Sequence, residues 1–93
     1  MKIIEHKVEK LVDPTGILTG ERYEFILSIE VPEDDELYSE KGIYVRVIYV
    51  HDETETRIAQ YSIHENETNA YIDFELEDDE LELIFNYCKE KLQ

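Results

Sequence analysis

From Tyr23 to Val31 every odd position is apolar, and the even positions are Glu24, Ile26, Ser28 and Glu30. A two-residue period of this kind predicts a strand with one buried face. From Ile43 to Val50 nearly every position is apolar except Arg46, which predicts a central strand contacted on both faces. Arg57 to His64 places Ala59, Tyr61 and Ile63 on one side and Gln60, Ser62 and His64 on the other. Ala70, Ile72, Phe74 and Leu76 alternate with Tyr71, Asp73 and Glu75, a further amphipathic strand. The opening segment, Lys2 to Val12, reads as an edge strand. Its lysines (Lys2, Lys7, Lys10) are the charges that guard an edge against pairing with other chains.

A different period begins at Asp79. Leu81, Ile84, Phe85, Cys88 and Leu92 form one apolar stripe at helical spacing, predicting a helix from Asp79 to about Leu92. Asp79 and Glu82 have capping-box spacing, and acids lead the segment while Lys89 and Lys91 close it, as the helix dipole favours. Asp13-Pro14-Thr15-Gly16 has the signature of a turn within a loop over 13–21. The link from Pro32 to Gly42 is too long for a tight hairpin and has room for one helical turn around Asp35 to Ser39. The links His51 to Thr56 and Glu65 to Asn69 are hairpin length. The order is β-β-β-β-β-α. It predicts an α+β fold, an antiparallel sheet of about five strands with one C-terminal helix packed on one face. That helix should cover Phe25, Leu27, Ile29, Val45, Val47, Ile72 and Phe74.

Composition narrows the class. At 93 residues the length fits a single domain, 1–93. There are 24 acids against 9 Lys and Arg, a formal net charge of −15. That acidity argues against nucleic acid and anionic membranes as partners. No apolar run is long enough for a transmembrane helix. The start, Met1-Lys2-Ile3-Ile4-Glu5-His6-Lys7, turns charged too early for a signal peptide. Its one cysteine, Cys88, cannot form an internal disulfide, which suits a reducing, cytoplasmic setting. Residues 51–82 hold twelve acids and one base, Arg57.

Candidate chemistry is sparse. Cys88 sits on the apolar stripe, where it reads as a small core residue rather than a nucleophile. Ser28, Ser39 and Ser62 lie in no strand-to-helix elbow, and no glycine-rich phosphate loop is present. His6, His51 and His64 lack metal-ligand spacing; His6 and His64 could meet only on neighbouring strands. Glu33 to Glu36 are consecutive rather than spaced as a calcium loop requires. No catalytic residue, metal or cofactor is assigned.

The run Asp13-Pro14-Thr15-Gly16-Ile17-Leu18-Thr19-Gly20-Glu21-Arg22-Tyr23-Glu24-Phe25 resembles a family of small acidic single-domain proteins of unknown function from spore-forming Gram-positive bacteria. Glu36-Leu37-Tyr38-Ser39, Val45-Arg46-Val47-Ile48-Tyr49 and Asp73-Phe74-Glu75-Leu76-Glu77 carry the same resemblance. It implies a bacterial cytosolic domain and no known activity or site residue.

Two surfaces stand out as candidates. The sheet face away from the helix should carry Ile26, Tyr44, Arg46, Ile48, Ile58 and Tyr71, the composition of an interface core. Its cover is either a second copy, giving a homodimer, or the 13–21 loop folded back with Ile17 and Leu18. The second surface is the acidic patch Glu77, Asp78, Asp79, Glu80 and Glu82, suited to a basic protein partner. The expected function is a non-enzymatic protein-interaction or regulatory module with an acidic surface. The alternative is a small-ligand or metal-dependent enzyme using the scattered histidines and carboxylates, which a deep cleft lined by His6, His51 or His64 would favour.

Overall fold

The computed structural model describes residues 1–12, 20–52 and 55–92. Strands β1 (Lys2–Leu11), β2 (Glu21–Glu30), β3 (Ile43–His51), β4 (Thr56–Glu65) and β5 (Tyr71–Ile72) are followed by helix α1 (Asp78–Lys91). The strands form one antiparallel sheet in the order β1-β2-β3-β4-β5. This is the expected α+β architecture, with each strand paired to its neighbour in sequence.

The two-residue alternation of β2 and β3 decides the core. Phe25, Leu27 and Ile29 pair with Val47, Val45 and Ile43, and all six are buried. Helix α1 lies over this face and sends in Ile84 and Cys88, both 0% exposed. Burying one such aliphatic side chain contributes about 1.5–3 kcal/mol. Leu81, Phe85, Tyr87 and Leu92 pack around the margin, half-buried, with Phe74 and Ile72.

Strand β3 is central, and both its faces are buried as expected, Ile48 and Val50 included. Strand β1 is an edge. Each of the long strands flanking the central pair is interrupted by a bulge. Ile4 is the extra residue in β1 against β2, and Ala59 is the extra residue in β4 against β3. Past its bulge, β1 turns His6 toward the helix, where His6 Nδ1 meets the Tyr87 hydroxyl at 2.9 Å.

Three local expectations are corrected. The helix is capped at Glu77, not Asp79: the Glu77 N–H donates to Glu80 Oε1 at 3.0 Å, and the helix starts at Asp78. Four consecutive acids satisfy capping spacing in more than one register, and the register that buries Ile84 and Cys88 prevails. The link after β2 holds no helical turn. Two successive turns (Asp35 N–H to Pro32 O, Tyr38 N–H to Asp35 O) instead aim Leu37 into the core, 3% exposed. The last strand ladders only at Tyr71 and Ile72, although its alternating burial continues to Leu76. There the Tyr61 hydroxyl accepts the Leu76 N–H at 3.0 Å, taking the place of a strand partner. The turn at 13–16 and the residues Ile17 and Leu18 lie outside the described residues.

Candidate functional site

The face opposite α1 is built by β2, β3 and β4 with the start of β5. Register brings Ile26 beside Arg46, and Glu24 beside Ile48, with Gln60 on the far side of Ile48. Arg46 reaches diagonally to Glu24, with Nη2 at 2.7 Å and Nε at 2.9 Å from the same carboxylate oxygen. Its guanidinium is therefore committed within the chain. Ile48 and Val50 are 6% and 1% exposed, so the apolar centre of this face is already covered in the single chain.

The open part of the face is aromatic. Tyr44 and His64 pair across β3 and β4 and stack with ring centres 5.1 Å apart at 16°. Tyr71 pairs with His64 from β5 and meets its ring edge-on at 5.9 Å. His64 Nδ1 lies 3.2 Å from the Asn69 carbonyl oxygen, which can only accept, so Nδ1 carries the hydrogen. In the neutral ring Nε2 then accepts from the Ser62 hydroxyl at 2.8 Å. Tyr44 donates to Asn69 Oδ1 at 2.9 Å, and Asn69 is held at φ 59° by the tight β4–β5 link. Tyr71 ends this array 66% exposed.

Of the six residues expected on this face, Ile26, Tyr44, Arg46, Ile48 and Tyr71 are placed there. Ile58 is not. The bulge at Ala59 shifts parity, so Ile58 pairs with Tyr49 and packs against the helix-side core. His64, Ser62 and Asn69 complete the array and were not singled out by periodicity, because their role rests on register across strands. The acidic patch surrounds the first turn of α1. Glu77, Asp78, Asp79 and Glu82 are exposed, while Glu80 is half-buried and spends its carboxylate on the Glu77 N–H.

The histidines do not converge. His6 faces the helix, His64 lies on the opposite face with two strands between it and β1, and His51 ends β3, with Nδ1 2.7 Å from the Thr56 hydroxyl. Among the described residues no group of three His, Cys, Asp or Glu side chains is placed to hold a metal ion. His51 does border a cleft of about 310 Å³ with Glu21, Tyr23, Tyr49, Thr56, Lys89 and Leu92. The Glu21 carboxyl is held below its ordinary range by a hydrogen bond from Tyr23 at 2.7 Å and by Lys10 at 3.3 Å. The same bond raises the Tyr23 phenol, and burial raises that of Tyr49.

The family of unknown function DUF6509 matches residues 1–93. The chain belongs to that family. No curated protein and no solved structure matches it significantly. Family membership brings no activity with it, so the chemistry of the face and the cleft carries the functional argument. Among the described residues no helix is long and apolar enough to cross a membrane.

Proposed function

We propose that this DUF6509 chain is a cytoplasmic, non-enzymatic protein-interaction module that docks a basic partner along its β4–β5 side. One observation carries the reading: Tyr71 projects from an ordered aromatic array and is followed at every second residue by exposed acids, Asp73, Glu75 and Glu77. In extended chain these positions recur about every 6.7 Å. An arginine or lysine laid over the Tyr71 ring would also reach a carboxylate. An exposed cation–π contact contributes about 0.5–1 kcal/mol. The excess of acids over 51–82 supplies longer-range attraction.

The probe is an acetylated heptapeptide amide of alternating arginine and valine, titrated at low and physiological salt. Tyr71→Ala should weaken it about two- to fivefold, and Asp73→Asn with Glu75→Gln should lessen its salt dependence. Unchanged affinity in both variants would overturn the reading. A second reading, a small-ligand site in the cleft beside His51, is favoured by the polar groups gathered there. A titration with small carboxylates that leaves the Tyr23, His51 and Lys89 resonances unmoved would remove it.

A further inference from the structure

We propose that the bare outer edge of β4 is a strand-addition site for a short, extended, basic segment of the partner; this rests on the basic-partner reading above. Strand β5 pairs with β4 only at Ile63–Ile72 and His64–Tyr71. From Thr56 to Ser62 the outer edge of β4 therefore has no strand beside it among the described residues. Main-chain groups of an antiparallel strand point to alternate sides. The Glu65 N–H is directed outward to Ala70 O at 3.0 Å, so the main chains of Ile63 and Tyr61 are directed outward too. Ile63 is satisfied by β5; Tyr61 is left facing the vacant position.

The vacancy is a built groove. Ile58, Ala59, Gln60, Tyr61 and Leu81 line an open volume of about 380 Å³ between the β4 edge and the first turns of α1. Ile58 and Leu81 give it an apolar wall. Exposed Asp78 and Glu82 lie on the same helical turns as Leu81, and Asp73 begins the segment that leaves the sheet. An added strand would alternate its side chains between the two sheet faces, apolar ones toward Ile58 and Leu81 on the helix side and basic ones on the opposite side, where Asp73 continues the parity of Tyr71.

Charge and backbone geometry choose the occupant. A second copy would bring two segments of net charge −11 (51–82, twelve acids and Arg57) against each other. The bulge at Ala59 also breaks the long flat ladder that self-pairing needs. A short basic segment meets neither obstacle, since it needs only the outward main chain of Tyr61 and the apolar wall of Ile58 and Leu81.

The test compares the arginine–valine heptapeptide with its analogue N-methylated at each valine, which keeps charge and side chains but loses main-chain donors. Saturation with the parent peptide should slow Tyr61 amide exchange about two- to tenfold, as one new main-chain hydrogen bond would, and the analogue should bind several-fold more weakly. Equal binding by both peptides, with shifts at Asp73 and Glu75 but none at Tyr61, overturns strand addition and leaves the basic-partner reading standing. No binding by either overturns both. Tyr61 protection that rises with protein concentration in the absence of peptide assigns the edge to a second copy and overturns the proposed occupant.

Discussion

Cys88 and Glu65 show how a single position can be read as chemistry. The Cys88 side chain is 0% exposed, and burial pushes its thiol up to about 12. At pH 8 about one molecule in ten thousand would carry the thiolate. A disulfide reagent should therefore label the native protein over hours and the urea-unfolded protein at once; equally fast labelling would place the thiol at the surface. Glu65 accepts hydrogen bonds from the Ser39 hydroxyl at 2.9 Å and the Thr68 hydroxyl at 3.0 Å, which lower its carboxyl from the ordinary 4.5. A carboxyl depressed in the folded state stabilises the fold above its unfolded value. That contribution is lost as pH falls from about 4.5 through the folded value. Glu65→Gln should lower the melting temperature at pH 7, and its difference from the unsubstituted protein should shrink as pH falls through that interval, which thermal melts from pH 3 to 7 would check.

At the scale of the element, α1 is held by its face and started by its cap. Ile84→Ala should cost about 2–5 kcal/mol in urea unfolding. Phe85→Ala should cost less, because that ring sits half-buried at the margin. Glu80→Ala should cost about 0.5–1 kcal/mol and Glu82→Ala less than half of that, since Glu80 is the residue that closes the Glu77 cap. The reverse order would restore Asp79 as the cap. The sequence of elements, the covered face and the helix stripe were legible because periodicity records them; which strands lie side by side was not, since periodicity says nothing of pairing. The bulges were not. Each inserts one residue whose effect is to flip parity, and nothing in the side chains of Ile4 or Ala59 announces it. Parity counting assigned Ile26, Tyr44, Arg46 and Ile48 to one face because β2 and β3 pair without a bulge. The same counting misassigned Ile58. Leu37 and Tyr61 were missed for another reason: one enters the core from a turn, and the other bonds a segment fifteen residues away.

The whole molecule is a slab of 43 × 26 × 21 Å with 6452 Å² of accessible surface. A protein of this mass ordinarily exposes about 5,700 Å², so this one is more open than average. At 10 mM salt the screening length is about 30 Å, so the net charge of −15 repels itself across the full width of the slab. At 150 mM it is about 8 Å. Melting temperature should therefore rise by a few degrees between these conditions. A fall would mean that ion pairs such as Arg46–Glu24 outweigh the general repulsion.

The helix that covers the core is also made after it. During synthesis the residues from Asp73 to Lys91 follow the completed strands by about 1–4 s, at about 5–20 residues per second. Hairpins form in about 1–10 μs, so β1, β2 and β3 have time to pair before α1 is made, while Phe25, Leu27, Val45 and Val47 face water. A nascent chain at that stage is an aggregation hazard, and the acids of the earlier segments are its protection. Surface charge that costs the finished fold some stability would then keep each growing chain apart from its neighbours on the same message until the lid arrives.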